Sequence, residues 1–235
     1  MEQKMNQKRV SVIGLVLGCG VVLSVMGCEN NYRLREDGRM AVYHGDISLA
    51  EAKYSRAVER EPDDYRAQYE LGKVYLSMGK PVSAQMSFEQ GMAVMPDNDE
   101  WTPRFIDGVA ESLFQQKRFE NLAGYLKDKA DYYGVPRDYV RQGAYLAKMG
   151  MPDEAELAYI KAAHFSKGGK QRAQSFVAMS DFYVQVGNLE KAKLALQWAY
   201  YEDMDLFGLG DKFRKLGMIP GPTMAVEPPA RAELD

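Results

Sequence analysis

The sequence predicts an all-α fold made of about five similar pairs of helices. The main observation is a pattern that occurs twice: MGMPDEAELAYIKAA, residues 149–163, has its glycine, proline, small residue and aromatic at the same places as MGKPVSAQMSFEQGM, residues 78–92. Weaker copies lie on either side of both segments. A pattern of this size that recurs along a chain indicates stacked repeats, because each unit needs a neighbour to cover its apolar face.

The first 28 residues have a composition that separates them from this fold. The basic start MEQKMNQKR is followed by a charge-free apolar run over residues 10–27. This order predicts an export signal or a membrane anchor. The last four residues, VMGC at 25–28, resemble the lipobox of bacterial lipoproteins, in which a cysteine receives lipid and becomes the new N-terminus. We therefore expect a lipoprotein signal peptide over residues 1–27 and lipidation of Cys28.

Two alternatives to lipidation at Cys28 stay open. VLGC at residues 16–19 resembles the same motif, but lipidation of Cys19 leaves an apolar stretch on the mature chain, whereas polar residues follow Cys28. An uncleaved membrane anchor is the second alternative. With Cys19 removed and Cys28 lipidated no thiol remains, which excludes disulfides and cysteine-based metal sites. Glu29 after the cysteine favours the outer membrane, facing the periplasm, over the inner membrane under the sorting rule of enteric bacteria.

The best-preserved copy of the repeat carries six diagnostic residues in order, namely Leu71, Gly72, Tyr75, Ala84, Phe88 and Pro96. They match the tetratricopeptide (TPR) pattern, a 34-residue helix-turn-helix with L-G-x2-Y, then A-x3-F, then P. Ala50, Tyr54 and Pro62 stand 34 residues before the last three of them. The chain thus resembles a TPR protein over about residues 31–203.

Small and turn-forming residues explain how such a unit folds. Gly72 and Ala84 are expected where the two helices of a repeat cross closely. Gly79 suits the left-handed end of the first helix, and Pro81 suits the first turn of the next helix. The third copy is the weakest, since it has Lys117 where a turn glycine is expected.

The repeat pattern also gives the domain organisation. We expect a TPR solenoid of about five repeats over residues 28–203, a C-terminal capping segment over 204–218 and a Pro-rich disordered tail over 219–235. The cap should cover the last repeat with five apolar residues, namely Leu206, Phe207, Leu209, Phe213 and Leu216.

The sequence contains no pattern typical of an enzyme or of a metal or cofactor site. Its two histidines, His44 and His164, have no metal-ligand spacing, and no nucleophile motif or phosphate-binding glycine loop is found. The net charge of −3 argues against nucleic acid as the main partner. Trp101, at the start of the irregular third repeat, is expected to pack.

The TPR resemblance implies that the first helix of each repeat lines a concave groove. On that face we place seven cations, namely Arg39, Arg66, Lys73, Arg104, Arg137, Arg141 and Lys148, with Tyr69 and Phe114 as aromatic contacts. This set loosely resembles the carboxylate-binding grooves of chaperone-cofactor TPR proteins, although the groove asparagines of that family are missing. The alternative is that these cations are solvated and pair with acids of neighbouring repeats.

These observations predict a membrane-anchored TPR scaffold of the bacterial cell envelope. We expect it to bind a protein partner, through an acidic segment, during assembly of an envelope machine. Lipoproteins of this build resemble pilus-assembly and secretin-piloting factors, and also adaptors that recruit cell-wall hydrolases. The alternative function is a receptor or carrier that binds a small anionic or saccharide ligand in the basic groove.

Overall fold

A computed structural model describes residues 30–96, residues 100–221 and Pro228. The predicted signal peptide, Cys28 and most of the predicted tail lie outside these residues. Within them the chain forms eleven α-helices: α1 Asn31–Tyr43, α2 Ile47–Arg60, α3 Tyr65–Ser77, α4 Pro81–Val94, α5 Thr102–Gln115, α6 Phe119–Tyr133, α7 Pro136–Lys148, α8 Pro152–His164, α9 Gly169–Gln185, α10 Leu189–Glu202 and α11 Leu209–Lys215.

The first ten helices form five consecutive antiparallel pairs, and each pair packs on the next. This arrangement confirms the predicted all-α, TPR-like fold. We call α1, α3, α5, α7 and α9 the first helices and their partners the second helices. Within the described part of the chain, no helix combines the length and the apolar composition needed to cross a bilayer.

The short helix α11 packs on the last repeat. Leu209 and Phe213 are buried, and the ring of Phe213 meets that of Tyr200 in α10 edge to face at 5.7 Å between centroids. Phe207 was expected to cover the last repeat, but its side chain is fully exposed. It lies in the turn before α11, where Gly208 has φ 80°, so its side chain is outside the packed surface.

The turns between paired helices use the left-handed backbone conformation. Gly79 has φ 68°, as expected, and Pro81 begins α4. In the third repeat Lys117 takes the same place with φ 58°, although it carries a side chain. The turn geometry is therefore kept where the sequence lacks its usual residue, at the cost of a less favourable backbone conformation.

The small residues of the first helices make room for aromatic rings of the second helices. A Cβ atom on Gly72 would lie 2.7 Å from the ring of Phe88, closer than such atoms approach. A Cβ atom on Gly108 in α5 would lie 2.7 Å from the same ring, and one on Gly91 in α4 would lie 2.5 Å from the ring of Phe105. Two phenyl rings and three glycines thus interlock the second and third repeats. The sequence predicts a close contact at Gly72 and an aromatic residue at Phe88, but not the roles of Gly91, Gly108 and Phe105.

This junction fixes the start of α5. Tyr69 in α3 lies between the rings of Phe88 and Phe105, with centroid distances of 5.7 and 5.3 Å. Its ring also meets that of Trp101 at 5.3 Å, and Tyr65 meets Trp101 at 6.1 Å. Trp101 is therefore held by packing, as expected, at the point where the first helices of two repeats come together.

Candidate functional site

Three clefts follow one another along the first helices, on the face where the cations were predicted. The first, of about 280 Å³, lies between α1 and α3 and is bounded by Trp101. The second, of about 180 Å³, lies between α5 and α7, and the third, of about 490 Å³, between α7 and α9. All three are formed mainly by the first half of each first helix, so they make one row of openings.

Near the middle of this row lies Trp101, whose ring is contacted by two arginines. The guanidinium carbon of Arg66 lies 5.6 Å from the centroid of the indole ring, and that of Arg104 lies 4.5 Å from it. Both distances suit cation–π contacts, which orient an arginine without neutralising its charge. Both side chains are exposed, and neither makes an ion pair with a carboxylate in the described residues. We call these three residues the Trp101 centre.

The two arginines reach the indole from different helices. Arg66 is the second residue of α3, and Arg104 the third residue of α5. Arg104 follows Trp101 by three residues, a spacing that brings two side chains to one face of a helix. That spacing was the available sequence signal. The sequence allows Trp101 to be either a packing residue or an exposed anchor, and packing is the expectation; the contacts with Arg66 and Arg104 are an addition from the structure.

Two other predicted groove cations are paired within their own helices. Arg39 forms an ion pair with Glu36 at 2.6 Å, and Lys73 with Glu70 at 2.9 Å. The hydrogen bond from Arg39 lowers the pKa of Glu36 below its usual range. Exposed pairs of this kind are weak, so both cations keep some freedom to bind other groups, but their net charge is locally compensated.

Arg137 and Lys148 lie at opposite ends of α7. Arg137 lines both the second and the third cleft, and it makes no ion pair in the described residues. The ammonium group of Lys148 lies 4.8 Å from the ring centroid of Tyr145 and 5.9 Å from that of Phe114. Eleven residues of α-helix separate the two cations by roughly 16 Å. The structure therefore does not bring them together, and only Arg137 belongs to the row of clefts.

Arg141 requires a correction, because it is not part of a binding surface. Its side chain is only 6% exposed and forms ion pairs with Asp138 in α7 and with Asp107 in α5. It also donates a hydrogen bond of 3.3 Å to the carbonyl oxygen of Pro103. These contacts commit its guanidinium to joining the third and fourth repeats. The register rule placed Arg141 on the groove face, but it did not account for acids within reach.

A carboxylate also limits the basic character of the groove. Glu111 of α5 accepts a hydrogen bond of 3.1 Å from the hydroxyl of Tyr145. Burial, together with this carboxylate, raises the pKa of Tyr145. Among the residues that the structure describes, Arg66, Arg104, Arg137 and Lys148 are the predicted groove cations without an ion pair; Arg66 and Arg104 lie at the Trp101 centre and Arg137 lines two clefts.

Five stacked helix pairs, aromatic rings seated on small residues and clefts along the first helices define a TPR-type helical repeat protein. No protein-family model matches the chain, and no curated protein sequence is significantly similar to it. Solved structures do share its fold.

Three solved structures illustrate this likeness. A MamA protein has a TM-score of 0.52 at 19% identity, covering 83% of this chain and 99% of that one. MamA of Desulfovibrio magneticus RS-1 has a TM-score of 0.51 at 12% identity, covering 76% and 97%. PilF of Pseudomonas aeruginosa has a TM-score of 0.50 at 17% identity, covering 80% and 88%. At these identities the likeness concerns the fold.

Proposed function

We propose that this protein is a scaffold that binds a protein partner in the row of clefts along its first helices. The observation that carries the proposal is the Trp101 centre, where Arg66 and Arg104 flank one indole ring without a carboxylate partner in the described residues. A guanidinium presents paired donors that match a carboxylate. The centre therefore fits an acidic segment of a partner, with the indole adding apolar contact.

We also propose that the scaffold works at the bacterial cell envelope, anchored by lipid on Cys28. The motif at residues 25–28 supports this location, and α1 begins at Asn31, directly after the proposed anchor. The first repeat would then lie within about 11 Å of the lipid attachment, given the reach of three extended residues. Assembly of a pilus or secretion machine is the process to test first, because the fold is similar to that of PilF.

The binding proposal is tested with a charge-matched pair of double variants. Arg66→Ala with Arg104→Ala removes two cations from the Trp101 centre. Lys127→Ala with Lys161→Ala removes two exposed cations from second helices. Each protein is used to capture partners from solubilised envelopes, which are then identified by mass spectrometry, after equal melting temperatures have been confirmed.

We expect the first double variant to lose a specific partner and the second to keep it. Retention of that partner should also fall as salt rises, because the contact is made by exposed charges. If the wild type and both double variants captured the same partners, a role for the Trp101 centre would be refuted.

The anchoring proposal has a separate test. Cells that produce the wild type, Cys28→Ala or Cys19→Ala are labelled with a palmitate analogue. We expect label in the wild type and in Cys19→Ala, and an unlabelled, larger product for Cys28→Ala. If Cys28→Ala kept the label and Cys19→Ala lost it, the lipidated residue would be Cys19.

A further inference from the structure

The third cleft differs in chemistry from the Trp101 centre. Its volume of about 490 Å³ is the largest of the three, and Val135, Val140 and Ala178 give it an apolar lining. Val135 is 39% exposed, so this apolar surface is open to solvent. Four polar residues, Arg137, Gln171, Gln174 and Ser175, complete the lining together with Pro136. A cleft that combines apolar surface with a few polar groups is typical of a binding site, and its apolar part can receive an apolar side chain.

The register of the repeats shows where this change occurs. Six residues before the small residue of each first helix stand Tyr32, Arg66, Arg104, Arg137 and Gln174, in repeat order. The position is cationic in the second, third and fourth repeats and becomes a neutral amide in the fifth. An occupant that matches this order is acidic at the middle of the row and uncharged and apolar at the α9 end.

The second and third clefts adjoin each other, and the second begins next to Trp101, so one segment can reach both sites. The second cleft shares Val135 and Arg137 with the third, and it begins at Thr102, directly after Trp101. Packed neighbouring helices lie about 8 to 10 Å apart, which puts the third cleft roughly 12 to 15 Å from Arg104. An extended chain covers that distance in about four or five residues.

We propose that the third cleft binds an apolar side chain of the same partner segment, about four or five residues from the acidic residue that contacts the Trp101 centre. This inference rests on the proposed function. It adds that the recognised segment is extended and has two parts, an acidic residue and a large apolar residue at a set spacing.

Synthetic peptides test the inference directly. The probes are twelve-residue fluorescent peptides with two adjacent aspartates and one leucine five residues away, made in both chain directions on a glycine–serine background. Matched peptides carry serine for leucine or asparagine for both aspartates. Affinity is measured by fluorescence anisotropy. We expect the change from leucine to serine to weaken binding to the wild type about tenfold, because a buried leucine side chain is lost.

A protein variant completes the cycle. Ala178→Leu fills part of the third cleft, so the leucine and serine peptides should bind it with the same affinity. The peptide comparison on the wild type remains decisive if that variant does not fold. Equal binding of the leucine and serine peptides, with weaker binding of the asparagine peptide, overturns this inference alone. If the asparagine peptide binds as well as the parent, or no peptide binds, the inference fails together with the proposed Trp101 centre.

Discussion

Arg104 and Arg141 belong to the same predicted surface, yet the structure uses them in opposite ways. Arg104 is exposed and lies over the ring of Trp101, whereas Arg141 is buried between Asp138 and Asp107. The residue three positions before each arginine explains the difference, because it is Trp101 in one helix and Asp138 in the other. The aromatic neighbour leaves the positive charge of Arg104 available to a ligand, whereas the acidic neighbour holds that of Arg141 in an ion pair.

The two regions also differ in how neighbouring repeats are joined. The second and third repeats interlock through rings seated on glycines, so the Trp101 centre rests on apolar packing. The third and fourth repeats share apolar packing too, with Phe114 of α5 against Tyr145 of α7, but they are joined by charge in addition, since Asp107 in α5 meets Arg141 in α7. Burial by itself lowers the pKa of Arg141, but hydrogen bonds and charge from Asp107 and Asp138 outweigh it and raise that pKa. The guanidinium therefore stays charged inside the protein.

The largest expected effect is the difference in stability between the variants Arg141→Ala and Arg104→Ala. Arg141→Ala leaves the carboxylate of Asp138, which is 3% exposed, buried without its partner. The expected loss is about 3 to 5 kcal/mol in the free energy of unfolding. Arg104→Ala removes an exposed charge and should change that free energy by less than about 0.5 kcal/mol. Urea unfolding measures both, and equal losses would show that the two regions do not differ as described.

A substitution that crowds the packing beside the Trp101 centre should destabilise the protein, as removal of the Arg141 charge does in the fourth repeat. Gly72→Ala places a methyl group against the ring of Phe88, which is fully buried and also contacts Gly108 on its other side. The ring has no room to move away, and we expect a loss of about 1 to 3 kcal/mol. The melting temperature and urea midpoint both report this loss.

Gly124→Ala is the matched control for this change. Gly124 lies inside α6 with nothing within 4 Å of an added Cβ atom. Alanine should therefore stabilise that helix by about 0.5 to 1 kcal/mol. If Gly72→Ala were as stable as Gly124→Ala, the close contact between Gly72 and Phe88 would be disproved.

The repeat pattern was sufficient to predict the fold, because Gly72, Gly79 and Pro81 each have a local steric reason for their place. It was not sufficient for the site. A register rule assigns a residue to a face, but it does not consider the acids nearby, and Arg141 is held both by Asp138 in its own helix and by Asp107, which lies 34 positions away in another helix. The contact of Arg66 with Trp101 likewise joins two repeats across an irregular connection. Such contacts depend on how neighbouring repeats are oriented, which the spacing of residues within one repeat does not specify.

The turn between the helices of the third repeat allows a smaller test of how that repeat differs from the second. Lys117 adopts φ 58° at the turn where the second repeat has Gly79. A left-handed conformation costs a side-chain-bearing residue about 1 to 2 kcal/mol, and glycine gives back part of that gain through its larger unfolded-state entropy. Lys117→Gly should therefore raise the free energy of unfolding by about 0.5 to 1 kcal/mol. Gly79→Lys should lower it, and a gain from both changes would contradict the comparison.

An ion pair of intermediate burial lies between the two extremes represented by Arg104 and Arg141. Glu156 in α8 accepts hydrogen bonds from Lys191 at 2.5 Å and from the hydroxyl of Tyr183 at 2.6 Å. Burial by itself raises the pKa of Glu156, but these two hydrogen bonds outweigh it and bring the pKa below its ordinary value of 4.5. The pair joins the fourth and fifth repeats, as Arg141 and Asp107 join the third and fourth.

The smallest expected effect is the pH dependence of this pair. Because the pKa of Glu156 is lower in the folded state, the unfolded chain binds the proton more readily. The stabilisation is thus complete above about pH 5 and is lost as pH falls through the folded-state pKa.

Glu156→Gln should be less stable than the wild type at pH 7, by at most about 1 kcal/mol. That difference should shrink towards zero near pH 3, where other carboxylates titrate equally in both proteins. Glu190→Gln is the control, since Glu190 is exposed and pairs only with Lys193 three residues along the same helix. Its effect should stay near zero at both pH values. If the difference between Glu156→Gln and the wild type did not depend on pH, the pair would contribute no more than an exposed one, unlike the buried pair of Arg141 with Asp138.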